Sequence, residues 1–295
     1  MPSSPGHHAA QPFRIGTSGF IYEHWRGRYY EPADRGRELE RYAADFDTVE
    51  LNVTFYRMPA RAMFESWAAR VPAGFLFAVK ASRYLTHTLR LRDPRPAVDL
   101  LVDRATALGS HLGPVLIQLP PDMPSDLAAL DDTLRAFPPE IRVAVEPRHE
   151  SWFTDELCRL LSDHGAALCL ADRRGPITPA WRTAEWTYLR FHGGRARPSS
   201  CYAPEALDQW AAQVASDTTR SGPGFAYFNN DGNGCALRDG AVFGRQLAAR
   251  GVPVGTIPSV AETVARAEGA PRAPAGMGQV HARASSTRRP PGRGG

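Results

Sequence analysis

The strongest constraint on how this chain folds is an alternation. From Arg14 to Arg250, eight short β-type runs are separated by patterns of helical period. The strand runs lie near Arg14–Ser18, Thr48–Tyr56, Leu76–Ser82, Val115–Leu119, Arg142–His149, Ala167–Asp172, Thr187–Gly193 and Gly224–Asn230. Helical patterns fall near Arg37–Asp45, Ala60–Arg70, Pro96–Leu108, Ser125–Ala136, Thr154–His164, Pro204–Ala215 and Arg238–Arg250. Arg173–Glu185, which holds Pro176 and Pro179, reads as a long loop or a short helix. Strands that alternate with helices make a parallel sheet, and eight such units close into a TIM-type (β/α)8 barrel. The expected layout is a disordered N-terminus over 1–12, one barrel over 13–251, and a largely disordered tail over 252–295 rich in Pro, Gly, Ala and Arg. The competing doubly wound sheet normally carries a glycine-rich phosphate loop after its first strand. Here Gly16-Thr17-Ser18-Gly19 is not followed by G-x-x-G, and no Walker A pattern occurs, so there is no nucleotide cofactor motif.

Composition narrows the class. No apolar run approaches the roughly 18 residues of a membrane span, and Met1–Pro12 has no apolar core of a signal peptide. A cytoplasmic protein with no membrane partner is therefore expected. The net charge of +4 is misleading: residues 269–295 hold five arginines and no acid. Removing those charges leaves −1 on residues 1–268, too little for an electrostatic nucleic-acid footprint. Cys158, Cys169, Cys201 and Cys235 are widely spaced with no C-x-x-C pair, and read as separate structural thiols. Of 35 Lys and Arg residues only Lys80 is lysine. Arginine cannot lose its proton in a protein, whereas lysine serves as base or as nucleophile. A lysine retained in so arginine-rich a chain marks chemistry that arginine cannot copy.

Alternation along each strand sorts the side chains. In a barrel, one set faces the helices and should be apolar, and the other faces the interior. Leu51, Val53 and Phe55 form the apolar set of the second strand, which places Glu50, Asn52, Thr54 and Tyr56 inward. The same rule sends Lys80, Gln118, Glu146, Arg190 and His192 inward from four other strands. Buried charges are costly unless paired, and here two acids oppose two bases. Lys80, Glu146 and His192 fall near strand C-terminal ends, where barrels of this type carry their chemistry. Tyr22, Trp25, Tyr84, His87, His149 and Trp152 follow strands as an aromatic rim, and Asn229, Asn230 and Asp231 close the eighth.

Several blocks together resemble a known family. They are Arg14-Ile15-Gly16-Thr17-Ser18-Gly19 with Tyr22 and Trp25, Val49 to Tyr56, Phe77-Ala78-Val79-Lys80 with Thr86-His87, and Gln118-Leu119-Pro120-Pro121. Val145-Glu146-Pro147-Arg148-His149-Glu150-Ser151-Trp152, Arg190-Phe191-His192-Gly193 and Tyr227-Phe228-Asn229-Asn230-Asp231 complete the set. In this order, over Phe13 to Arg250, they resemble the YecE-like family, domain of unknown function 72. The resemblance implies a TIM-type barrel and no established reaction. The segment after Arg250 has no counterpart in it.

Three functions are weighed. The first is an enzyme with Lys80, Glu50, Glu146 and His192 as catalytic groups: the amine as base or nucleophile, a glutamate as general acid or base, and the imidazole as proton carrier. Asn52, Tyr56, His87, Gln118, Arg148, His149, Trp152, Arg190, Asn229 and Asn230 would then contact a small polar or anionic substrate. Lyase, hydrolase and isomerase chemistry are not separated. The second is a metal-dependent hydrolase or isomerase holding a divalent ion with ligands drawn from Glu50, Glu146, His149, His192 and Asp231. The third is a nucleic-acid-binding or repair-like barrel, favoured by the aromatic rim and opposed by the near-neutral body.

Overall fold

Residues 11–175, 178–194, 200–218 and 223–259 are described by a computed structural model of the chain. The strands are β1 Phe13–Thr17, β2 Thr48–Leu51, β3 Leu76–Lys80, β4 Leu112–Gln118, β5 Val143–Glu146, β6 Ala167–Asp172, β7 Thr187–Phe191 and β8 Gly224–Phe228. The helices are α1 Glu38–Asp45, α2 Val53–Tyr56, α3 Arg61–Ala68, α4 Arg95–Ala105, α5 Leu127–Arg135, α6 Asp155–Asp163, α7 Pro204–Thr218 and α8 Cys235–Ala249. All the strands are parallel, in the order β1-β8-β7-β6-β5-β4-β3-β2. Strands β1 and β2 meet at a Ser18–Glu50 bridge, which brings the sheet round to a nearly closed TIM-type barrel.

The seam between β1 and β2 has its own chemistry. A side chain at Gly16 would place a Cβ 2.2 Å from the Thr48 carbonyl oxygen, so only glycine lets the strands approach. The Tyr42 hydroxyl from α1 then stitches them. It accepts from Thr17 N at 2.9 Å and donates to the Thr48 carbonyl at 3.1 Å. One side chain thus replaces part of a missing backbone ladder.

Inside the barrel, an apolar layer lies below a charged and polar one that β2, β3, β4, β5 and β7 supply. The lower layer holds Ala78, Leu116, Ala144, Tyr188, Phe225 and Tyr227, with small residues facing large aromatic ones. The upper layer holds Glu50, Lys80, Gln118, Glu146 and Arg190, all buried. Apolar packing below carries the stability that the charged layer does not.

Several expectations need correction. The second strand ends at Leu51 and turns into α2, so strand alternation stops applying there. Thr54 is buried, but its hydroxyl donates to the Lys80 carbonyl at 2.6 Å, with the Leu51 carbonyl 2.8 Å away, so it caps strand ends. Tyr56, expected inside, is 63% exposed. The stretch Tyr84–Thr88 is a π-helical turn. No helix follows β6 among the described residues; instead Thr183 bonds the Ala166 carbonyl and the Leu168 amide. Cys201 and Cys235 form a disulfide, not separate thiols: α7 and β8 intervene in the chain, yet the fold brings their Cα atoms to 4.8 Å. The packed chain also runs beyond residue 251. Phe13 N donates to Pro253 O at 2.7 Å, Gly255 N donates to Phe13 O at 3.0 Å, and Val252 and Pro258 are buried. The disorder expected of residues 1–10 and 260–295 falls outside the described residues.

Candidate active site

The upper layer is organised around Arg190. This side chain is 1% exposed and lies between two wholly buried carboxylates. Its Nη2 donates to Glu50 Oε1 at 2.8 Å, and its Nη1 donates to Glu146 Oε2 at 2.6 Å. Tyr188, two residues earlier on the same face of β7, donates its hydroxyl to Glu50 Oε2 at 2.7 Å. Arg148 places Nε and Nη2 each 2.9 Å from Glu146 Oε1. Gln118 Oε1 lies 3.4 Å from Arg190 Nη1. Strands β2, β4, β5 and β7 thus converge on one guanidinium.

Charge–charge energetics decide what the carboxylates can do. Burial opposes ionisation of Glu50, but Arg190, Lys80 and the Tyr188 hydrogen bond override it and hold the carboxyl below its usual range. Burial likewise opposes charge on Glu146, and Arg190, His192 and Arg148 hold it well below that range. Both are fixed anions at neutral pH, which suits them to counter-charge and not to proton exchange.

Lys80 is different. It ends β3, is 8% exposed, and holds Nζ 4.2 Å from the centroid of the Phe55 ring. Among the described residues no carboxylate forms an ion pair with it. Burial lowers its pKa, Arg190 adds to the effect, and Glu50 and Glu146 pull the other way, with a balance at about 7. An ordinary lysine titrates near 10.5, so far more of this amine is unprotonated at neutral pH than of an exposed lysine.

The histidines divide into three cases. His192 has both ring nitrogens engaged: Nδ1 lies 3.1 Å from Asn229 Nδ2, and Nε2 lies 3.4 Å from Glu146 Oε1. Burial, then Arg190, lowers its pKa, which keeps it neutral. His149 caps the short turn after β5, with Nδ1 2.8 Å from Ser151 Oγ. His87 lies edge-on to the same Phe55 ring that underlies Lys80, at 5.1 Å between centroids. Thr86 spends its one hydroxyl hydrogen on the Ser82 carbonyl at 3.1 Å, so His87 Nδ1–H donates to Thr86 Oγ1 at 2.9 Å. That tautomer leaves the Nε2 lone pair free.

Other expected contacts separate from the mouth. Trp152 is fully buried, and its indole N–H donates to the Met123 carbonyl at 2.8 Å, so it is packing beneath the rim. Trp25 is buried likewise, bonded to Asp231 Oδ1 at 3.0 Å. Asn230 ties the Ser200 carbonyl and Asp239 Oδ2 at 2.9 and 2.7 Å, which makes it a strut under the loop after β7. Asn52 donates to Ser18 O at 3.2 Å. Exposed Tyr56 and Asn229 stay at the opening. The suggested metal set is not assembled either: Asp231 is held by His24 Nε2 at 2.8 Å and by Trp25, and His149 turns to Ser151. No three His, Cys, Asp or Glu side chains converge for a metal among the described residues.

Sequence reasoning missed Tyr188, Phe55 and His24. Tyr188 was readable, because it shares a face with Arg190 two residues on. Phe55 was assigned to the helix-facing set, and only the turn into α2 swings it under Lys80. His24 lies in a loop with no periodic signal, and its bond to Asp231 raises its pKa.

Eight parallel strands with a buried charged layer at their C-terminal ends define a TIM-type barrel protein. The comparisons agree with that class. Residues 14–262 match the family described as protein of unknown function DUF72, and the chain belongs to it. The UPF0759 protein YecE of Escherichia coli is 32% identical over 116 residues, 39% of this chain and 43% of that protein. The chain therefore matches less than half the length of that relative. The UPF0759 protein YunF of Bacillus subtilis is 24% identical over 237 residues, 69% of this chain and 84% of that one. A DUF72 family crystal structure from Thermotoga maritima superposes with TM-score 0.70 at 27% identity, covering 81% of this chain and 100% of that one. One from Enterococcus faecalis gives 0.68 at 18% identity, covering 80% and 95%. Among the described residues no helix is long and apolar enough to cross a membrane.

Proposed function

We propose that the protein is an enzyme acting on a small polar or anionic substrate, with the Lys80 amine as proton acceptor or nucleophile. One observation carries this reading: a buried amine without a paired carboxylate, set against Phe55 beside an arginine whose charge repels a second cation. A purely structural lysine would gain by pairing with Glu50 or Glu146, and both of those bond to arginine instead. Glu50 and Glu146 serve as fixed counter-charges. Arg190 sets their spacing, and His192 positions Glu146. Gln118 and Arg148 are substrate contacts at the mouth.

The experiment compares wild type with Lys80→Arg and Lys80→Met in a bacterial metabolite extract followed by mass spectrometry. Metabolites consumed by the wild type should persist with both folded variants. Equal consumption by folded Lys80→Arg rules the reading out.

A further inference from the structure

We infer that the mouth takes small aldehydes or ketones that carry a carboxylate or phosphate, and that Lys80 binds them covalently as an iminium. The inference rests on the reading of Lys80 as an active amine and names its substrate class.

Geometry supports the anionic half. Arg190 and Arg148 balance Glu50 and Glu146, two charges against two, so the buried layer offers an incoming anion no unpaired acid. Arg148 uses only Nε and Nη2 on Glu146, which leaves Nη1 without a partner among the described residues. Arg83, next to the π-helical turn, is exposed and adds to the positive field acting on His87. Arg148 also acts on both His87 and Lys80. Asp122, the acid that also acts on His87, is paired with Arg90 at 3.3 Å, so exposed Arg83 and the open Nη1 of Arg148 are the groups left to attract an anion.

The covalent half follows from Lys80 and His87 sharing the Phe55 ring. The Nζ lone pair attacks the carbonyl carbon, and the C=O π pair moves to oxygen. His87 Nε2, free in the tautomer fixed by Thr86, takes the proton that leaves nitrogen and returns it to the alkoxide, giving a carbinolamine. A second proton, from solvent through the same Nε2, turns the hydroxyl into leaving water as the nitrogen lone pair forms C=N⁺. In net terms, amine, carbonyl compound and one proton give iminium and one water. The cation then forms beside Glu50 and Glu146, which favour it electrostatically.

A chain with a single lysine makes the test clean. The full chain is incubated separately with glyoxylate, pyruvate, glyceraldehyde 3-phosphate and uncharged glycolaldehyde, each with borohydride, and peptides are mapped by mass. Lys80 should gain the mass of the carbonyl compound less its oxygen, at least about tenfold faster for the anionic compounds than for glycolaldehyde. The N-terminal amine reports intrinsic reactivity. Carboxylate and phosphate arms separate the two anion types. Arg148→Gln should reduce the anionic preference, as should Arg83→Gln, which removes an exposed side chain and spares the core. His87→Gln should slow trapping of every compound. Labelling of Lys80 no faster than the N-terminus, or without anion preference, overturns the inference. If Lys80 also fails to react with acetic anhydride at neutral pH, the parent reading falls with it. If it does react, only the iminium is lost.

Discussion

Replacing Lys80 with methionine should alter the pH dependence of stability in a direction set by the structure. In the folded protein this amine titrates at about 7, against 10.5 for an ordinary lysine. Between those values the unfolded chain holds a proton that the folded chain does not, so stability rises with pH through that window. The lysine's penalty is fully present below about pH 7 and is relieved as pH climbs toward the unfolded value. Between about pH 7.5 and 9.5 the gain integrates to about 2 to 3 kcal/mol. Methionine fills a similar volume and cannot titrate, so the gain should vanish. Urea unfolding of both proteins at the two pH values gives the difference of differences, in which the buried tyrosines cancel. Labelling lysine with 13C at Cε yields one side-chain resonance, whose titration reports the amine directly. Parallel pH profiles for wild type and variant, with a resonance that moves only above about pH 10, would refute the argument that burial and Arg190 set this group.

Other outcomes follow from the same contacts. Arg190→Gln leaves Glu50 and Glu146 as buried charges with weaker partners, and should lower stability by about 3–5 kcal/mol in urea titration. The same variant should raise the Lys80 pKa, because a repelling cation is gone while the attracting glutamates remain. Tyr42→Phe removes the hydroxyl that joins β1 to β2, and should cost about 1–3 kcal/mol with faster amide exchange at Thr17. Thiol titration of the unfolded, unreduced chain should find Cys158 and Cys169 only, and all four cysteines after reduction. Removing the disulfide, which spans 34 residues, should cost about 2–4 kcal/mol.

The barrel was legible because its signals are local. Strand and helix periods repeat in the chain, and alternation sent Glu50, Lys80, Gln118, Glu146 and Arg190 to one interior. Their types and their strands were therefore determined by the sequence itself. Which charge pairs with which was not, since alternation gives a side but no partner. Only the closed sheet sets Arg190 between Glu50 and Glu146 and leaves the amine of Lys80 unpaired. The turn of Val53–Tyr56 out of the sheet, the burial of Trp152, and the meeting of Cys201 with Cys235 were likewise decided in three dimensions. Each depends on contacts between residues far apart in the chain, and a periodic pattern carries no information about them.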